Sequence, residues 1–347
     1  MRKARIAVLG AGWWGAEVYI PALQANPDAA LAAVNRRNAE ALRQITEKFG
    51  IPSGYTDYRA LLAKEPLDGA IIVSPHTVHF EQAMACLEAG LHVLVDKPMT
   101  TSAADARAMV AKAAAVGRQI VVPYGWNFKD FNRKAVDLVQ AGRLGEIRHV
   151  SCQMASPTGD LFGGDGLIET AAHMFQPERS TWADPANAGG YGWGQLSHAM
   201  GLMFAVTGLA PAQVFAMGGK SKAGVDYYDA LSVRMTNGAT AAVSGAATVP
   251  KHCGYQVDLR VFGTEGMLLL DVERERMELR RNDKNDVVLD LQAGDGAYLA
   301  IEPVDRLVDI CLGREKRNEA PGEVGMRAVE VLDAMYRSMT SGRVEDV

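Results

Sequence analysis

The chain has 347 residues, 48% of them apolar and 22% charged, with a net charge of −5. That length suggests two domains, the apolar share suits a globular protein, and the acidic balance argues against nucleic acid as a partner. No run approaches the roughly 18 apolar residues of a membrane helix, and Cys86, Cys152, Cys253 and Cys311 lack metal-ligand spacing, so the reading is a cytoplasmic protein with reduced thiols.

The N-terminal "RIAVLGAGWWGAEVYIPAL" begins with a strand, Ile6 to Leu9, and then places Gly10, Gly12 and Gly15 as G-x-G-x-x-G ahead of a helix. Three glycines at these offsets are weak alone. The strand before them and the helix after them make a dinucleotide fingerprint. Gly10 permits the tight turn, Gly12 lets the backbone approach a pyrophosphate, and Gly15 lets helix and strand pack closely. The helix N-terminus offers N–H groups to the phosphates. Ala11, Trp13 and Trp14 fill the loop and belong to the same cofactor site.

The second strand, "ALAAVNRR", ends about 20 residues further on, where an NAD-binding protein usually has Asp or Glu. This chain has Asn35, Arg36 and Arg37. A carboxylate would repel a 2′-phosphate, whereas arginine grips it, so NADP is favoured over NAD. Asn35 still suits a ribose hydroxyl, which keeps NAD open.

The alternation continues. "FGIPSGYTDYRALLA" reads as a short strand or turn and then a helix, and "LDGAIIVSPHTVH" as a strand ending at Ser74-Pro75. "FEQAMACLEAG" is a helix with Phe80, Ala83, Met84 and Leu87 on one face and Gly90 as its stop. "LHVLVDKP", "SAADARAMVAKAAAVG" and "RQIVVPYGW" follow as strand, helix and strand. This succession predicts an α/β fold: a Rossmann doubly wound parallel sheet over residues 1–123. Ligands in such sheets sit beyond the carboxyl ends of the strands, where the Gly10 loop, Arg36, Ser74, Asp96, Lys97, Pro98 and Tyr124 all fall. Lys97 there suits a substrate hydroxyl and its developing alkoxide.

From about Arg148 the pattern changes to strands separated by Gly, Asn and Asp turns, such as "IRHVSCQM", "DALSVRMTNGATAAVSGAATV" and "YQVDLRVFGTEGMLLLDVE". They predict an α+β domain over 124–347 with a largely antiparallel open sheet, one face of which is a candidate subunit interface. "LSHAMGLMFAV" reads as a buried helix after a glycine-rich turn, with His198 in its first turn. Dipole and burial there disfavour the imidazolium, and a neutral imidazole can accept an alcohol proton. The loop-rich segment 155–190 is expected to cover the substrate. Its Asp160, Asp165, His173 and Trp182 each have a structural reading ahead of a binding one. His76, His79 and His173 lack ligand spacing, so no metal is expected. The C-terminal helices, "EPVDRLVDICLG" and "EVGMRAVEVLDAMYRSMTSG", are expected to pack back on the first domain.

Several stretches together carry a resemblance: "GAGWWG", "VSPHTVHFEQAMACLEAGLHVLVDKP", "YGWNFKDFNRKAVDLVQAGRLGEIRHV" and "WADPANAGGYGWGQLSHAMGLMFAVTG". Almost end to end, the chain resembles the Gfo/Idh/MocA oxidoreductases. Asp96-Lys97-Pro98 stands where that family has Glu-Lys-Pro. Gly189 and Gly190 match its glycines and His198 its histidine. The resemblance implies Lys97 and His198 as catalytic residues. It implies Ser74, Pro75, His79, Asp96, Lys97 and Asn127 at the cofactor, and Asn127 and Gln195 beside Lys97 and His198 at the substrate. Many relatives carry Asp four residues before the histidine, where this chain has Gly194. That departure removes a partner that orients the histidine or joins its proton relay.

The implied activity is an NAD(P)-dependent dehydrogenase acting on a secondary hydroxyl of a sugar, sugar derivative or cyclitol, in a homodimer or homotetramer. Two alternatives stand beside it. One is transient use of a tightly bound NAD(P), as in sugar–sugar oxidoreductases or redox-assisted glycoside cleavage. The other is a non-catalytic dinucleotide-binding regulator.

Overall fold

Strand β1 (Ala4–Leu9) is buried at every position but Arg5 because it lies in the middle of a sheet covered on both faces. The sheet runs β3–β2–β1–β4–β5–β6, with β2 (Ala29–Asn35), β3 (Gly54–Tyr55), β4 (Gly69–Ile72), β5 (His92–Val95) and β6 (Ile120–Val121), and every pairing is parallel. Continuous apolar strands such as Ala70-Ile71-Ile72 and Val93-Leu94-Val95 follow from that double cover. The computed structural model describes residues 2–314 and 316–347.

Helices α1 (Ile20–Ala25), α2 (Ala39–Phe49), α3 (Tyr58–Lys64), α4 (His79–Glu88) and α5 (Ala103–Ala115) connect these strands. Their ends follow local chemistry. The Asn38 side chain accepts from Ala41 N at the start of α2, Asp57 caps α3 and Ser102 caps α5. Gly50 stops α2 with φ +62°. The buried face of α4 differs from the expected one. It comprises His79, Gln82, Ala83, Cys86 and Leu87, while Phe80 and Met84 are half-buried. The helix starts at His79, whose ring is fastened inward, and this turns the stripe away from Phe80.

The second sheet has nine strands in the order β14–β13–β12–β11–β7–β10–β9–β8–β15. They are β7 (Ile147–Ala155), β8 (Pro211–Lys220), β9 (Asp226–Met235), β10 (Thr240–Ala246), β11 (Gln256–Gly263), β12 (Gly266–Asp271), β13 (Arg276–Arg281), β14 (Val287–Leu289) and β15 (Glu345–Asp346). All pairs are antiparallel except β7 with β10, so the expected largely antiparallel sheet is present. Val150, Cys152, Leu259 and Val261 bury one face. Helix α6 (Asp130–Gln140) and two short helices, α7 (Gly159–Gly163) and α8 (Arg179–Trp182), precede α9 (Ser197–Thr207), which packs on β7 and takes a Cys152 Sγ bond at its Ala199 carbonyl.

The chain crosses between two units more than once. The first holds residues up to Gly125 with Leu167–Thr181 and Leu299–Met326; the second holds Trp126–Gly166, Trp182–Tyr298 and Arg327–Val347. A single break at 123 therefore omits the return of 167–181 to the first unit. Of the two C-terminal helices expected on the first domain, α10 (Ile301–Cys311) lies there, with Cys311 and Leu307 against Gly69. Helix α11 (Gly322–Ser341) leaves that unit after Met326, because Ser338 and Tyr336 bond to β8 and β9 instead. Among the described residues no helix is long and apolar enough to cross a membrane, and the four cysteines are unpaired.

Candidate active site

The three fingerprint glycines have separate physical reasons. Gly10 has φ +76°, and a Cβ there would lie 2.5 Å from Ser74 Cα. A Cβ on Gly15 would meet Val73 Cγ1 at 3.1 Å, so helix and strand touch closely here. At Gly12 the nearest atoms to such a Cβ are Arg36 Nη1 at 3.6 Å and Gly10 O at 3.7 Å, which leaves the backbone open to a ligand. The loop is tied to β2 by Gly10 N and Ala11 N, both donating to Asn35 O at 3.0 Å. Residues Gly15–Tyr19 then form a π-helical turn that leads into α1. Beside the loop, Ser74 Oγ is buried with no hydrogen-bond partner among the described residues. An open backbone and an unused hydroxyl at the carboxyl ends of parallel strands fit a dinucleotide.

Other expected cofactor residues are placed as follows. Trp13 Nε1 donates to His173 Nδ1 at 2.8 Å, and Trp13 meets Trp14 edge-on at 5.3 Å. Asn35 turns inward and donates to Tyr55 O at 3.0 Å. Arg36 Nη1 donates to Ala11 O at 2.6 Å, its guanidinium over the Phe175 ring, whereas Arg37 is exposed. Pro75 opens the turn His76–Val78. His79 holds loops together instead of presenting a ring nitrogen. Its Nδ1 faces Pro98 O at 2.8 Å and its Nε2 faces Ser74 O at 2.7 Å, and burial lowers its pKa.

The charged pair closing β5 is built by this framework. Asp96 Oδ1 accepts from Tyr19 OH at 3.1 Å and from the Lys97 backbone N–H at 2.9 Å. The Lys97-Pro98 peptide is cis. Burial brings the Lys97 ammonium down to about 8, with the Asp96 charge opposing the fall. Burial likewise raises Asp96, and it raises Tyr124 with help from the Asp96 charge. A half-buried amine that titrates near neutrality is suited to hold and release a proton.

In the second unit the glycine-rich stretch is itself helical. A π-helical turn, Gly192–Leu196, runs straight into α9. His198 is the second residue of α9, in its first turn as expected, though the π-helical turn before it carries the helix back to Gly192. The reason is Asp226. Its Oδ2 accepts from Gly192 N at 2.6 Å and its Oδ1 accepts from Tyr336 OH at 2.8 Å. Trp193 N donates to the Tyr336 oxygen at 3.3 Å, and the two rings stack at 5.2 Å. Gly190, with φ +130°, has no room for a side chain, since a Cβ would lie 1.9 Å from Asp226 Oδ1. Asp229 stands next to Asp226, and burial plus that neighbouring charge push it up to about 9.

His198 is buried, its ring edge-on to Trp126 at 5.7 Å and to Tyr298 at 5.4 Å. Gln195 is buried on the π-helical turn, and Asn127 Nδ2 donates to Gly201 O at 3.2 Å. A Cβ on Gly194 would lie 2.6 Å from Phe162 Cζ and 3.2 Å from Trp182 Cζ3. Two aromatic rings thus fill the space beside Gly194. Sequence reasoning missed Asp226, Tyr336, Trp126 and Tyr298. The density of glycines in "AGGYGWG" was the available sign that something presses on that backbone. Among the described residues no cluster of three His, Cys, Asp or Glu side chains is arranged to hold a metal.

A parallel sheet with this glycine loop, a lysine closing β5 and a histidine helix on a second sheet define a dinucleotide-binding oxidoreductase. Residues 4–124 match the profile of the oxidoreductase family with an NAD-binding Rossmann fold, and 132–269 match the GFO/IDH/MocA C-terminal domain. The chain belongs to the GFO/IDH/MocA family. It is similar to D-xylose 1-dehydrogenase (NADP(+)) 2 of Haloferax volcanii, 33% identical over 42% of this chain and 44% of that one. Myo-inositol 2-dehydrogenase of Thermotoga maritima is 23% identical over 81% and 79%. The match spans only about half the length of the first curated relatives. The WlbA dehydrogenase of Bordetella pertussis, solved with NADH and UDP-GlcNAcA, shares the fold at TM-score 0.76 and 20% identity, covering 100% of this chain and 99% of that one.

Proposed function

We propose that this chain is an NAD(P)-dependent dehydrogenase oxidising a secondary hydroxyl of a sugar, sugar derivative or cyclitol. The observation that carries the reading is the desolvated Lys97 amine beside Asp96 at the carboxyl end of β5. Gly10–Gly15 would hold NAD(P), which would supply the hydride acceptor. Lys97 donates a hydrogen bond to the substrate hydroxyl and stabilises the alkoxide that develops there. His198 accepts the hydroxyl proton on a ring nitrogen. Loss of the hydroxyl proton to His198 and of the carbinol hydride to that acceptor would leave a ketone. Asn127 and Gln195 fix the neighbouring hydroxyls. In the reverse direction the same groups return the proton to the alkoxide of a reduced ketone. This reading requires Lys97 and His198 to act on one carbon.

Arg36 and the exposed Arg37 support NADP, as does the NADP(+) in the name of the xylose relative; the NADH bound to the WlbA dehydrogenase supports NAD. We place the reaction in the cytoplasm, where unpaired cysteines stay reduced. We also place it in a homodimer or homotetramer joined through the open sheet face, where Met217 and Tyr228 are exposed.

The test is a panel of sugars, sugar acids and inositols, assayed for reduced nicotinamide with NAD and NADP separately. A substrate should emerge whose turnover falls at least about a thousandfold in both Lys97→Ala and His198→Ala, and no further in the double variant. Turnover that survives Lys97→Ala nearly intact sinks the reading.

A further inference from the structure

Residues 167–181 are encoded between two stretches of the second unit, yet they fold with the nucleotide loop of the first. Three contacts fasten them. Trp13 Nε1 donates to His173 Nδ1 at 2.8 Å, with the rings stacked at 6.4 Å. Glu17, on the π-helical turn, accepts the Met174 N–H at 3.1 Å. The Arg36 guanidinium lies 4.0 Å from the centroid of Phe175. All three partners belong to the fingerprint turn or to the end of β2. The end of β2 is where a Rossmann unit holds the adenosine ribose.

The segment has little core of its own. Thr170 and Pro177 are buried, but Ile168 is 71% exposed and most of the remainder is exposed or half-buried. A stretch with so few buried apolar groups opens at low cost. Its fastenings are polar and aromatic, and they land on the nucleotide loop and not on the sheet's core. It also brings acid to a strand end that lacks one, since the Glu178 charge acts on Arg36. A guanidinium can stack on a flat ring on either face, so the face turned from Phe175 suits an adenine.

We propose that residues 167–181 are a strap that completes the cofactor site at its adenosine end, with Phe175 on Arg36 as the clasp and the Trp13–His173 hydrogen bond as the latch, so that a bound dinucleotide leaves slowly. This rests on the NAD(P)-binding reading above. For the nucleotide to leave, the clasp and the latch must both open.

The test uses the full chain loaded with NADH, and separately with NADPH, chased by excess ADP-ribose in a stopped-flow instrument, with energy transfer from tryptophan as the signal. Phe175→Ala should speed release about tenfold and weaken binding by a similar factor. His173→Ala should speed release about threefold, and Phe175→Leu should fall between Phe175→Ala and the parent. Release rates within twofold of the parent in Phe175→Ala overturn the strap while leaving the dinucleotide reading intact. A parent chain that binds neither NADH nor NADPH overturns both. A second measurement needs no variant: tryptic cleavage after exposed Arg179 should slow at least fivefold with NADH bound, and an unchanged rate counts against the strap.

Discussion

Two of the described helices follow a π-helical turn rooted in glycine, and they arise differently. Ahead of α1, the turn Gly15–Tyr19 follows from local packing: Gly15 must let Val73 approach, and the preceding loop bonds back to the end of β2. Ahead of α9, the turn Gly192–Leu196 follows from a distant side chain, because Asp226 on β9 takes the Gly192 N–H and needs a bare Gly190 to reach it. The first is a motif. The second is an anchor, and its glycines have meaning only once the sheet has formed.

Substituting the glycines separates these cases, and the largest effects are expected there. Gly10→Ala must distort the Ser74 backbone at a positive φ, and Gly190→Ala must expel Asp226. Each should cost about 3 kcal/mol or more in urea unfolding. Gly12→Ala meets nothing closer than 3.6 Å, so it should leave stability within about 0.5 kcal/mol while weakening dinucleotide binding tenfold or more.

The anchor also predicts a pH dependence that the motif lacks. Asp229 is raised from 3.8 to about 9 in the folded protein. The folded state then holds a proton that the unfolded chain releases near pH 4, so stability falls as pH rises from about 4 to about 9. Asp229→Asn should flatten that fall and add about 2 kcal/mol at pH 9, read by urea melts at pH 6 and 9. A parent chain with flat stability over that range would contradict a protonated Asp229 in the folded state.

Lys97 runs the other way. Its fall from 10.5 to about 8 means that the half-buried cation costs stability below pH 8, and that the cost vanishes above 10.5. Lys97→Met should abolish turnover and still stabilise the fold by about 1–2 kcal/mol at pH 7, less than the full shift because Asp96 loses its cation. By pH 10.5 that gain should be gone. The smallest effect is expected on the outer face of α2, where exposed Arg43 bridges Glu40 and Glu47. Arg43→Ala should leave the melting temperature unchanged within error.

Legibility follows the same division. The strand–glycine–helix order, the glycine loop and the charged close of β5 could be read because each is written within about a dozen residues, the reach of one βα step. The strands of the second sheet could be read from alternation, as at "YQVDLRVFG". Asp226 under Gly192, Tyr336 against Trp193 and Phe175 on Arg36 could not, because the partners lie 34, 143 and 139 residues apart. The π-helical turn ahead of α9 escaped the sequence for that reason: a glycine run looks like a loop until an acceptor is found for its N–H groups.

The threading of the chain limits how it can be divided. A fragment cut after Gly125 would keep the fingerprint but lose α10, whose Leu307 and Cys311 cover Gly69. It would also lose Ala320, whose carbonyl receives Val122 N at 2.8 Å. Such a piece would expose a bare sheet face and an unsealed strand edge, an invitation to aggregate. Recombination with a homologous protein would have to exchange three separate pieces together to keep a working nucleotide half.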